Sequence, residues 1–179
     1  MAEIKSTLDL VMEKTKNLSL SAEERQGQKN KEIGSRIRGL LNRFQDKAIS
    51  FDQFNSEYRA LKKENGLKGT GNEQLIKEIC DRIELGKDNQ TLFDLLVEFK
   101  ESDFEGLKSI LQKFQTASDA AARGRSKILK EELAQTYFIS GSAVVANLEN
   151  DAEWQKEAGE IRTKFSALLD KEKAKLLAE

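Results

Sequence analysis

Apolar side chains recur along most of this chain at alternating four- and three-residue steps, the spacing that lines one face of a helix. Ile4, Leu8, Val11, Thr15 and Leu18 make the first such face and predict a helix ending near Asn17. Ser21 followed by Glu24 is a capping box, in which each side chain satisfies an orphan amide at a helix start. A longer second helix is therefore expected from Ala22 to about Lys47, with Ile33, Ile37, Leu40, Leu41 and Phe44 as its stripe. Gly27, Gly34 and Gly39 each cost it roughly 1 kcal/mol relative to Ala, so they either weaken it or permit close packing. Ser50 and Gln53 repeat the capping signal, and Phe51, Phe54, Tyr58 and Leu61 carry the next face up to Gly66, a C-terminal stop.

The glycine-rich stretch 66–71 is the expected boundary between an N-terminal helical region, 1–65, and a C-terminal one, 72–179. Beyond it Asn72 is placed to cap a helix carrying Leu75, Ile76, Ile79, Cys80 and Ile83, which Gly86 ends. Asn89 is placed to cap another, with Leu92, Phe93, Leu96 and Phe99 inward. Ser102 and Glu105 form a third box, opening the longest pattern, about 103–137. At 1.5 Å per residue that helix spans on the order of 50 Å, against a radius of gyration of about 16 Å for a compact chain of this length. An elongated molecule is expected.

Within the long helix, residues 116–122 are small and let a neighbouring helix approach. Arg125 and Glu132 interrupt its apolar side, which implies either a solvated gap with a register change or a buried or interfacial ion pair. Helical spacing lapses from Phe138 to Asn150, where Ser140-Gly141-Ser142 breaks the chain and Val144-Val145 favours extended backbone. Asp151 then caps a terminal helix with Trp154, Ala158, Ile161, Phe165 and Leu168 on one seam. That seam and the first one are too short for an autonomous coiled coil. The pattern thus predicts an all-α fold, an elongated bundle of about six to seven helices whose long helix packs against the C-terminal helix in an antiparallel hairpin.

Composition supports this class and removes most chemistry. No Pro occurs among 179 residues, as long uninterrupted helices require. No His occurs either, so the commonest general base and transition-metal ligand is missing, and triads, zinc hydrolases and carboxylate-histidine di-iron sites lose their central part. No Ser stands three positions before a Lys. Cys80, the only cysteine, shares a face with Ile76 and Ile83, where a thiol stays protonated and inert. Gly66, Gly69 and Gly71 with Lys68 match neither phosphate-loop nor dinucleotide patterns. Asn147, Glu149 and Asp151 resemble the start of a calcium loop, but Ala152 and Ala158 stand where its glycine and final glutamate belong. No catalytic, cofactor-binding or metal-ligating residue is assigned. With no apolar run of about 20 residues and no signal segment, a cytoplasmic protein without a membrane span is expected.

Net charge is −1, so any polyanion site must be local. Arg25, Lys29, Arg36, Arg43 and Lys47 form a basic stripe on the second helix, flanking its apolar face as stems that cover a core edge do. Arg123, Arg125, Lys127 and Lys130 form another on the long helix. Trp154 joins these as a candidate contact residue. The expected function is a non-enzymatic helical interaction or scaffold protein that binds a protein partner or a second copy through amphipathic helices. The alternative is an RNA- or ribosome-associated factor using the two basic clusters, although interleaved aromatics for stacking bases are missing.

Overall fold

The computed structural model describes residues 21–66 and 71–178, and among these the fold is all-α, with six helices and no strand. The helices are α1 (Ala22–Gln45), α2 (Phe51–Asn65), α3 (Gly71–Arg82), α4 (Gln90–Phe99), α5 (Glu105–Tyr137) and α6 (Ala152–Ala178). The helix expected over 4–17 and the loop cation Lys68 lie outside the described residues. The chain divides into two compact units, Met1–Gly71 and Asn72–Glu179.

In the first unit both capping boxes form. The Glu24 amide donates to Ser21 Oγ at 3.1 Å while the Ser21 amide donates to Glu24 Oε2 at 2.7 Å; Ser50 and Gln53 repeat the exchange at 3.2 and 2.9 Å. Helix α1 stops at Gln45, two residues earlier than the apolar pattern implies, because Lys47 turns left-handed at φ 57°. The amides of Lys47 and Ala48 reach back to the carbonyls of Phe44 and Arg43 at 3.0 and 2.8 Å, a Schellman closure without glycine. Gly66, at φ 63°, supplies the expected stop for α2. Arg36 pairs with Glu64 and Arg43 with Glu57, so numbering rises on α1 as it falls on α2 and the two are antiparallel. Ile33, Ile37, Leu40, Leu41 and Phe44 from α1, and Phe54, Tyr58 and Leu61 from α2, are buried.

The core of the second unit holds Leu75, Ile79, Cys80 and Ile83 from the α3 segment and Leu92, Phe93, Leu95 and Leu96 from α4. Three expected caps are used differently. Asn72 lies inside α3, which starts at Gly71, and its side-chain amide donates to the Phe99 carbonyl at 3.3 Å. Asn89 is buried, and its side chain satisfies the loop before α4: it accepts from the Glu84 amide at 3.1 Å and donates to the Glu84 and Lys87 carbonyls, each at 2.9 Å. At the start of α5 the Ser102–Glu105 box is replaced by Asp103, whose Oδ1 accepts the Glu105 amide at 2.8 Å. Phe104 is drawn into the core and takes the N-cap position, which shifts the start of the helix to Glu105.

Helices α5 and α6 form the expected antiparallel hairpin. Glu172 lies against Gly106, Phe114 meets Phe165 edge-on with centroids 5.8 Å apart, and Arg125 pairs with Asp151. Two lysines tie the C-terminal part of α6 to its surroundings: Lys173 Nζ donates to the Ile83 carbonyl at 2.7 Å, and Lys100 Nζ donates to the Leu176 carbonyl. Both carbonyls belong to helix ends that lack an intrahelical donor. Full burial on the hairpin stops at Phe114 on α5 and Leu169 on α6, so the part beyond these residues is held by half-buried contacts.

Candidate interaction surface

Most cations of the α1 stripe are occupied within their own hairpin. Arg36 Nη1 lies 2.7 Å from Glu64 Oε2 and its Nη2 3.3 Å from Glu32; Arg43 pairs with Glu57; Lys29 Nζ donates to the Asn65 carbonyl at 3.3 Å. These are exposed pairs, worth roughly 0–1 kcal/mol each, but they place glutamates between the cations. Arg25 sits exposed in the first turn of α1, and Lys47 closes its C-terminus.

The α5 cluster separates into two parts. Arg125 is turned into the hairpin, its side chain 12% exposed against 13% for Asp151. Its Nε and Nη2 donate to the two carboxylate oxygens of Asp151, both at 2.8 Å, and Nη1 approaches Glu153 Oε2 at 2.6 Å. The paired hydrogen bonds from Arg125, followed by the Trp154 amide, hold the Asp151 carboxyl below the usual carboxylate range; Arg125 is raised in return. Asp151 also performs its expected capping role, since Oδ1 accepts the Trp154 amide at 2.7 Å. The interruption at Arg125 is thus an ion pair across the hairpin, with Asp151 rather than with Glu132 as the facing carboxylate. Trp154 is half-buried in the first turn of α6. Arg123, Lys127 and Lys130 remain on the outer face of α5, exposed.

At the far end of the hairpin the chain reverses through 138–151. Phe138 ends α5 in a left-handed conformation, φ 56°, and its amide and that of Ile139 converge on the Leu133 carbonyl. From 143 to 149 burial alternates: Val144, Ala146 and Leu148 are half-buried, and Ala143, Val145, Asn147 and Glu149 face out. Turns fix the segment through Val144 N–H to Gly141 O at 3.2 Å and Asp151 N–H to Leu148 O at 3.1 Å. The tip nevertheless exposes Phe138 at 88%, Val145 at 85%, Tyr137 at 67% and Ile139 at 50%. A groove of about 390 Å³ runs beneath it, lined by Leu133, Tyr137, Val145 and Ala146 with Asn147 and Asn150. A second, of about 590 Å³, lies along α5 between Arg123, Lys127 and Lys130 on one side and Leu148 on the other.

No protein-family model, curated protein or solved structure matches the chain.

Among the described residues no group of three or more His, Cys, Asp or Glu side chains is placed to hold a metal, and no helix is long and apolar enough to cross a membrane. Cys80 is buried, and burial pushes its thiol up to about 11. The residues that sequence reasoning missed are those of the tip, Tyr137, Phe138, Ile139 and Val145. Their signal was available: a run of three large apolar residues leads directly into a Ser-Gly-Ser breaker, past the end of the helical spacing that would have turned them onto one face.

Proposed function

We propose that this chain is a non-enzymatic helical interaction protein that engages a protein partner with the tip of the α5–α6 hairpin. The observation that carries this reading is Phe138, an aromatic residue held in left-handed backbone and 88% exposed. The left-handed turn closes α5 on the Leu133 carbonyl, and the ring it projects is left outside the fold, as a large exposed aromatic that anchors a partner would be. Tyr137, Ile139 and Val145 extend the apolar surface around it, on a class of surface where contiguous apolar area marks contact with another macromolecule. The pairing of Arg125 with Asp151 gives the tip a defined mounting, which limits the entropy lost on docking.

A photoreactive benzophenone residue at position 138, in the full chain expressed in its own host cells, tests this reading. A discrete protein adduct is expected that is absent when the group is placed at Lys164 on the exposed face of α6. Excess wild-type chain should compete it away, and a chain carrying Phe138→Ser and Val145→Ser should not. Absence of an adduct at 138, or the same adducts from 164, overturns the reading.

A further inference from the structure

Arg123, Lys127, Lys130, Ala134 and Tyr137 follow one another on α5 at steps of four, three, four and three, so they fall on one outward stripe. The stripe is cationic toward the body of the hairpin and apolar toward its tip. Among the described residues Arg123 and Lys130 have no ion pair, and Lys127 has only an exposed contact with Glu131 at 3.9 Å. Beside the stripe lies the groove of about 590 Å³, with Ala122, Ala134 and Leu148 as its apolar lining and Ser126 and Glu131 as its other polar residues, so three cations face one carboxylate there.

Resting on the reading of the hairpin as a protein-binding element, we infer that this groove seats an acidic amphipathic helix from the partner. From Arg123 to Tyr137 the stripe is about 21 Å long at 1.5 Å per residue, which takes a helix of about four turns. Carboxylates repeating at three- and four-residue steps in the incoming helix meet Arg123, Lys127 and Lys130 in register. One or two large apolar side chains at its other end meet Ala134, Leu148 and the exposed ring of Tyr137. Size argues against a second copy docked tip to tip. The tip exposes four large apolar side chains, Tyr137, Phe138, Ile139 and Val145, whereas a stable interface takes about 800 Å² and roughly 20–30 residues per partner. A helix lying along the groove adds the flank to the tip. An RNA strand would use the three cations and leave the apolar lining empty.

Fluorescence anisotropy with the full chain tests this inference. The probes are lactam-bridged 15-residue peptides bearing Glu at three- and four-residue steps in one half and Leu and Phe in the other, made in both sequence orders. Controls are a scrambled peptide, the same peptide with Lys for Glu, and a 15-nucleotide single-stranded RNA. One order of the acidic probe should bind at least about tenfold more tightly than either peptide control, more weakly as salt rises, and at least about tenfold less tightly to R123E/K127E/K130E. The neutral variant R123Q/K127Q/K130Q, with circular dichroism to show retained helix, should fall between. Equal binding by the scrambled or Lys peptide, RNA binding tighter than the acidic probe, or unchanged binding by the triple variants each overturns the inference. The adduct at position 138 separates the two levels. If it persists in R123E/K127E/K130E while both acidic probes fail, the groove is not the seat and the tip reading stands. If it is missing from the wild-type chain, the tip reading itself falls.

Discussion

Lys47 at φ 57° and Phe138 at φ 56° occupy backbone that glycine adopts freely, and a side chain there costs on the order of 1 kcal/mol. Lys47 closes α1 through hydrogen bonds that involve only its backbone, so Lys47→Gly should raise the unfolding free energy by about 1 kcal/mol in urea denaturation and leave the tip adduct intact. Phe138→Gly should stabilise by a similar amount, about 1 kcal/mol, since its ring is exposed and little burial is lost. It should also abolish capture at the tip, read out from a benzophenone moved to position 145. A Phe138→Gly chain that is destabilised would mean that the ring supports the fold, and the functional argument from its exposure would fail.

Within the second unit α4 is the element whose burial reaches furthest around the helix. Leu95→Ala should cost about 2–5 kcal/mol, because Leu95 is fully enclosed and the space it leaves stays partly empty. Val97→Ala, two residues away and 63% exposed, should change stability by less than about 0.5 kcal/mol. At the hairpin, the Asp151 carboxyl is held below its ordinary range in the folded chain. Its contribution is therefore fully present above the unfolded carboxyl pKa of about 3.9 and is lost only as pH falls through the lower folded value. Trp154, the only tryptophan, stands in the adjacent turn, so its fluorescence should hold steady down to about pH 4 and change below it. Asp151→Asn should remove that acid transition. The limits of local reasoning also appear at this scale. Periodicity located every described helix, and the boxes at Ser21 and Ser50 formed as written because both partners lie within one turn. Burial of Phe104 overrode the box at Ser102, and the buried carbonyls of the 84–87 loop claimed the Asn89 side chain. The break at Arg125 was visible as a gap, but its partner lies 26 residues away on the next helix, where no spacing rule reaches.

For the molecule as a whole, opposite charges balance to −1, and the arginines at 36, 43 and 125 face carboxylates from a neighbouring helix. The basic clusters were legible in the sequence; the glutamates and aspartate opposite them, set in place only by the pairing of helices, were not. Of the two basic clusters, Arg123, Lys127 and Lys130 remain together on α5 for phosphate contact, while Arg25 and Lys47 stand at opposite ends of α1. Three contacts give a log–log salt slope of at most about 3, so structured RNA should show no measurable binding at about 0.15 M salt in a gel-shift assay. A steeper slope or retained binding there would put the RNA alternative ahead of the protein-binding reading. One further consequence follows from where Arg125 sits. It lies twelve residues before the end of α5 and well beyond Phe114, the last fully buried side chain on that helix. Thermal unzipping that starts at the reversal therefore meets a latch before it reaches the packed base. Amide deuteration should show this as two rates along α5, fast from 126 to 137 and slower behind the latch, with the step between them erased in Arg125→Met.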